Sequence, residues 1–405
     1  MMRSRLSLLL LASGVILSLA MGIRHGFGFF MAPITGEHGW GREAFALALG
    51  LQNLVWGVAQ PFSGAIADRR GPARVLLIGA LCYAAGLLLM TVSATPWQFS
   101  LSAGVLIGFA LSCTTYSVIF GVIARTVPTA RRSRAMGIAS AAGSFGQFAL
   151  VPVERSLIDA MGWIPALVLL AGAIALCAPL AKTIGHLDDP AQRPPETGRL
   201  LPKMAATFAQ AWRERSFRLL MAGYFVCGFQ VVFIGVHLPV YLRDKGMSGS
   251  VASLALALIG LFNVFGSFCA GEWGSRIPKP RLLSGLYLAR SVIIALFLLC
   301  PLSSWSVALF AASIGFLWLA TVPLTNGIIA SQFGVGHLGL LSGAVFFAHQ
   351  AGSFLGVWLG GWVFDATGSY DIVWIGAILL GVMASLANLP IREEPVASFA
   401  GERPS

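Results

Sequence analysis

Charge is what this sequence has least of. Asp, Glu, Lys and Arg together make up 11% of its 405 residues, against about 25% in a soluble globular domain. That scarcity excludes an ordinary water-soluble protein, and an apolar content of 57% points into a lipid bilayer instead. Cysteine is sparse as well. Cys82, Cys113, Cys177, Cys227, Cys269 and Cys300 stand singly inside apolar runs. With no CxxC pair or ligand spacing, they exclude a disulfide framework and a cysteine metal site, and read as small packing residues. Also missing are HExxH, a P-loop, a GxSxG elbow and a dinucleotide fingerprint. Neither an enzyme nor a bound cofactor or metal is expected, and the want of a nucleotide-binding loop counts against an ATP-driven pump.

What the chain has instead is length in apolar runs. Stretches of about 20 residues, enough to cross a bilayer at 1.5 Å per residue, recur at 8–32, 44–66, 73–93, 97–124, 134–158, 162–181, 219–242, 250–274, 282–300, 304–327, 338–364 and 370–390. They are numbered spans 1 to 12 here. The charge that exists is unevenly placed: Arg42, Arg243 and Lys245 lie in loops on one side, and Arg24, Arg155 and Arg290 lie within spans. The other Lys and Arg fall on the side of the termini. By the positive-inside rule both termini are expected in the cytoplasm, in a multi-pass protein of the cell membrane. The basic excess is thus a topology signal, with no nucleic-acid partner needed. The opening, MMRSRLSLLLLASGVILSLAMG, has the shape of a secretory signal, but its apolar helix runs on through Phe27, Phe29 and Phe30 to Pro33 and is needed as the first span.

One segment interrupts the pattern for long. Residues 183–216, rich in proline and charge, are expected to be a cytoplasmic linker between an N-terminal bundle (1–182) and a C-terminal bundle (217–392), with a tail at 393–405. Two readings of its second part stay open: a plain connector, or an amphipathic helix at the membrane surface with Arg213, Arg215 and Arg218 toward lipid headgroups. The halves repeat each other. GAIADRRGPAR at 64–74 aligns with GEWGSRIPKPR at 271–281, AGSF at 142 recurs at 351, and DAMG at 159 recurs as DATG at 365. These offsets, all close to 207, predict an all-α membrane protein of twelve spans in two parallel six-helix repeats, with a site near the midplane between them.

The segment 64–74 resembles the signature between the second and third spans of the major facilitator superfamily, and the resemblance extends over residues 5 to 390. It implies the major facilitator fold and transport by alternating access. It also makes Gly64, Asp68, Arg69, Gly71 and Arg74 a cytoplasmic gate, in which Gly64 and Gly71 permit close packing and a tight turn. Asp68 would meet the N-terminus of span 11 or a loop arginine; alternatively Asp68 and Arg69 only solubilise the loop. Ser275 replaces the acid in the second half, which suggests that Asp68 has a specific partner.

Few polar side chains lie deep in the spans. They are Arg24 and His25 on span 1, Gln52, Asn53 and Gln60 on span 2, Tyr116 on span 4, Gln147, Glu154 and Arg155 on span 5, and Gln230, His237 and Tyr241 on span 7. The others are Asn263 on span 8, Tyr287 and Arg290 on span 9, Asn326 on span 10, and His349 and Gln350 on span 11. A charge at bilayer depth costs about 2.5–3.5 kcal/mol or more, so each needs a partner or a cavity. Arg24, with Phe27 and Gly28 one turn on, suits a carboxylate through its paired donors; otherwise it is held by carbonyls or an acid elsewhere, although no acid is expected at its depth. Arg290, on a span that the resemblance places outside the cavity, is read as bonded to carbonyls or to Asn263, or else as a second anion contact. His349 is a proton carrier or a packing residue, and His25 a further proton-coupling candidate. Glu154 and Arg155 are expected near the outer surface, as part of the interface or else as a further proton-coupling candidate.

Within the superfamily, RRSRAMGIASAAGSFGQF after span 4 and APITGEHGWGREAF closing span 1 resemble the monocarboxylate transporter and oxalate/formate antiporter group. That resemblance implies a small organic anion as substrate, moved with a proton or in exchange. The group's usual Asp and Arg on span 8 are missing, replaced by Asn263 and Ser267, and span 4 lacks the arginine of the drug/proton antiporters. The expected substrate site is Arg24, Phe27, Tyr116, Gln147, Gln230, Asn263, Arg290, His349 and Gln350, in a monomer. Two rivals remain. One is an exporter of amphipathic or neutral molecules built on Phe27, Phe30, Tyr116 and Trp318, and the other is a transport-inactive sensor or scaffold.

Overall fold

The computed structural model describes residues 2–127, 129–188, 200–334, 337–396 and 399. Among the described residues every regular element is helical, and the helices form twelve spans: Met2–His38, Arg42–Arg70, Pro72–Met90, Pro96–Thr126, Thr129–Met161 and Trp163–Leu187, then Arg215–Asp244, Gly249–Trp273, Lys279–Leu299, Ser304–Phe333, Leu338–Thr367 and Asp371–Asn388. Span 2 is the one of these not apolar enough to be recognised as membrane-crossing by composition. Its Gln52 and Asn53 are buried against neighbouring helices. Span 1 continues past Pro33, where the apolar pattern stops, and Pro61, Pro152 and Pro239 also lie inside helices. In a packed bundle neighbouring groups re-satisfy the carbonyls that a proline frees.

The fourth span of each half is broken. Span 4 contains a π-helical turn at Ser100–Leu106 and an extended residue, Thr115, at φ −110° and ψ −160°. Span 10 stops at Leu317 and resumes at Thr321. Each half is held together by close helix contact, span 1 on span 5 and span 7 on span 11. A β-carbon on Gly146 would lie 2.1 Å from the Ser18 carbonyl oxygen, and one on Gly352 would lie 1.9 Å from that of Phe225. Only glycine lets these backbones meet.

The halves meet through two equivalent seams, span 2 on span 11 and span 5 on span 8. Both are closed toward the face opposite the termini and open toward the termini. On span 11, Phe354, Gln350 and Phe346 pack against Gly50, Gly57 and Trp56. Gly343 and Gly339 continue the same helical face, yet a β-carbon on either would touch nothing within 4 Å. Ser144 bonds Asn263 across the other seam at 2.9 Å. Gly137 and Gly271, further along those faces, likewise meet nothing within 4 Å. Residues 189–199 of the expected linker lie outside the described residues. Its second part is a helix, Leu200–Arg213, packed by Phe208 on Phe217. That helix ends before Arg215 and Arg218, which belong to span 7.

Candidate functional site

Between the two halves a cleft is lined by Arg24 and His25 of span 1, Leu49, Gln52 and Asn53 of span 2, residues of span 7, and Trp318 at the break in span 10. Arg24 donates from Nη2 to Asn53 Oδ1 at 2.5 Å, and its Cζ lies 5.1 Å from the Trp56 ring centroid. Asn53 is turned to receive it because its own Nδ2 is tied to the Leu49 carbonyl at 2.7 Å. Arg24 forms no ion pair among the described residues, and its buried Nε lacks an acceptor. A guanidinium is therefore presented beside an aromatic face with a neutral amide as its hydrogen-bond partner, an arrangement that leaves its charge available to an anion. His25 accompanies it, with Nδ1 2.6 Å from the Met21 carbonyl oxygen.

The other expected site residues divide. Tyr116 lies beside the break in span 4, its ring 5.4 Å from that of Phe120 and its hydroxyl against Gly143 of span 5. Gln147 donates to the Leu256 carbonyl at 3.2 Å and Asn263 donates to Ser144 at 2.9 Å, so both serve the seam of spans 5 and 8, while Asn263 also accepts from the Leu319 amide at 3.0 Å. His349 and Gln350 are buried on span 11, with His349 5.1 Å from the Tyr224 ring and Gln350 against Gly57. Three residues stand away from the cleft. Phe27 is buried edge-on to Phe30 at 6.3 Å. Gln230 donates to the Ala377 carbonyl of span 12 at 2.9 Å. Arg290 is only 1% exposed and donates to the Leu317 and Trp318 carbonyls, each at 2.5 Å, and to Cys227 Sγ at 3.2 Å. A break frees carbonyls that must be satisfied inside a membrane, and the outer-span arginine supplies the donors.

Glu154 is 0% exposed within the bundle, packed against Gly26, and both its oxygens lack a donor among the described residues. Its neighbour Arg155 points away to Asp159 at 2.5 Å. Of the two partners expected for Asp68, the N-terminus of span 11 and an arginine of the loop after the expected span 4, it meets the arginine. It pairs with Arg125 at the end of span 4, whose Nε also bonds Asp188 Oδ1 at 3.0 Å. Gly71 takes φ +92° in the sharp turn between spans 2 and 3, and Gly64 faces Ser117 of span 4, while Arg69 is half-exposed and Arg74 exposed.

The opposite face carries a cluster that no sequence motif announced. Arg42 bonds Asp244 at 2.6 Å and the Tyr370 hydroxyl at 2.9 Å. Asp365 accepts from the backbone amides of Arg42 and Glu43 at 2.9 and 2.7 Å, capping span 2 from the other half. Burial pushes the Tyr370 phenol up to about 12, so its hydroxyl stays protonated at physiological pH.

The model of the Major Facilitator Superfamily matches residues 10–357. Among similar proteins, the uncharacterized MFS-type transporter YcxA of Bacillus subtilis (strain 168) is 27% identical over 380 residues, covering 92% of this chain and 91% of that protein. Monocarboxylate transporter 13 of Rattus norvegicus is 28% identical over 388 residues, covering 92% and 86%. Monocarboxylate transporter 11 of Homo sapiens is 26% identical over 359 residues, covering 85% and 74%. With twelve spans in two six-helix repeats and a polar cleft between them, the chain belongs to the major facilitator superfamily and is a membrane transport protein, not an enzyme.

Proposed function

We propose that this transporter moves a small organic anion, a monocarboxylate, across the cell membrane by alternating access, with Arg24 as the group that binds the anion. The observation that carries the reading is a guanidinium between the two halves that has no ion-pair partner among the described residues. A carboxylate there would set an ionised acceptor, able to take paired donors, against a guanidinium that otherwise bonds a neutral amide. The names of the mammalian relatives support the substrate class. With the termini in the cytoplasm, as the distribution of Lys and Arg favours, the arrangement described is inward-open, and the domain division at the linker coincides with two bodies that rock about Arg24.

The test is uptake of labelled lactate, pyruvate and oxalate into proteoliposomes. Arg24→Gln, at equal incorporation, is expected to lower uptake about 10–100-fold, the loss of one charge-assisted contact. Undiminished transport of a carboxylate by this variant would sink the reading. The exporter of neutral amphipaths is less well served, because Phe27 and Phe30 are buried against each other and away from the cleft.

A further inference from the structure

On the terminus face a second pocket, of about 310 Å³, lies between the sharp turn joining spans 2 and 3 and the last turns of span 6. A single water needs ~10–15 Å³, so the pocket has room for a phosphate and the group it carries. Arg70, Arg74, Lys182 and His186 line it, all four exposed, and no carboxylate does. None of the four forms an ion pair or a side-chain hydrogen bond among the described residues. The acids closest to them in sequence, Asp68 and Asp188, are engaged by Arg125 instead.

Two features of the backbone suit the pocket to an anion. Span 3 starts at Pro72 directly after Gly71, and no side chain caps that end. Its first-turn amides are left for a ligand, and the positive end of a helix favours a negative one. A β-carbon on Gly185 would lie 2.4 Å from Ala73 Cβ, so spans 3 and 6 touch at the pocket, and position 185 sends no side chain into it.

Beyond the bases the surface turns apolar. Ile78 and Leu81, four and seven residues after Arg74 and so on its face of span 3, are 50% and 52% exposed. Pro179, three residues before Lys182 on span 6, is exposed too, and Leu176 beyond it is 69% exposed. A free anion would make no use of this strip, whereas the chains of a lipid would lie along it.

We propose that this pocket binds an anionic phospholipid, its phosphate held by Arg70, Arg74 and Lys182 at the start of span 3 and its acyl chains laid along Ile78 and Leu81. The group recognised is a phosphate diester, and a basic pocket between spans is the kind of site that holds acidic headgroups. All of its lining residues belong to the N-terminal half, so the lipid ties that body to one leaflet without crossing a seam. The inference is independent of the anion reading at Arg24.

Full-length protein purified in detergent tests this, with dioleoyl phosphatidylglycerol and dioleoyl phosphatidylcholine as probes and native mass spectrometry as the readout of bound lipid. Wild type is expected to retain one phosphatidylglycerol that phosphatidylcholine does not displace. Arg70→Gln/Lys182→Gln is expected to weaken that binding about 30-fold, the effect of taking two basic groups from an anionic surface. Arg70→Lys/Lys182→Arg, which keeps both charges, retains it. Arg243→Gln/Lys245→Gln, which removes the same charge from exposed residues of the opposite face, leaves it unchanged. Equal retention of the two lipids by wild type, undiminished binding by Arg70→Gln/Lys182→Gln, or an equal loss in the opposite-face variant would overturn the proposal. Phosphatidylglycerol should also raise the unfolding temperature of wild type where inorganic phosphate does not. Stabilisation by inorganic phosphate that Arg70→Gln/Lys182→Gln abolishes would assign the pocket to a free anion and overturn the lipid.

Discussion

The two faces of the molecule use their charges differently. Opposite the termini, charged groups join the halves: Arg42 to Asp244, and the amide end of span 2 to Asp365. On the terminus face the corresponding pairs stay inside one half. Asp68, Arg125 and Asp188 tie spans 2, 4 and 6 together, and Lys279 pairs with Glu393 of the tail at 2.8 Å while its amide caps onto the same carboxylate. Under the proposed alternating access the first set would break as the opposite face opens, and the second would keep each body rigid as it moves. Ser275 stands where Asp68 has its counterpart, and Glu393, following span 12 as Asp188 follows span 6, supplies an acid from a different place in the sequence.

Three substitutions probe this contrast. Gly146→Leu attacks the packing within a half: with a backbone oxygen 2.1 Å from the new β-carbon, overpacking should cost about 3 kcal/mol or more, read as loss of a monodisperse, thermally stable protein. Arg42→Ala should leave the fold intact but cost the closed opposite face about 1–2 kcal/mol. That shift would appear as a several-fold rise in labelling of a cysteine placed at Ala46 from the opposite side. Unchanged labelling would remove Arg42 from the latch. Lys279→Ala, which removes a half-exposed pair within one half, should change stability by only ~0–1 kcal/mol and leave that labelling unaltered. A change in labelling as large as that of Arg42→Ala would dissolve the distinction between the faces.

Much of the fold was legible because its signals are local. Spans follow from runs of apolar residues, and the repeat from motifs near one offset. Span 2 was found by pattern in spite of Gln52, Asn53 and Gln60. The site was less legible. A polar residue within a span has two possible neighbourhoods, and helical periodicity alone does not say which helix lies on that side. Arg24 and Arg290 look alike as deep arginines; one faces the cleft, while the other is spent on the carbonyls of a broken helix that the sequence did not reveal. The position of Glu154 along its helix was legible, whereas the glycine across from it, which makes room for the acid, was not.

The sequence by itself determined that this chain crosses the membrane in two related halves and belongs with transporters, because hydrophobic length and loop chemistry are read residue by residue. Only the tertiary structure decided that Arg24 rests on an uncharged partner, that Glu154 lies buried against Gly26, and that the seams close on one face and part on the other. Those facts depend on which side chains meet across distant helices, and contact, desolvation and unmet hydrogen bonds exist only once the helices are packed.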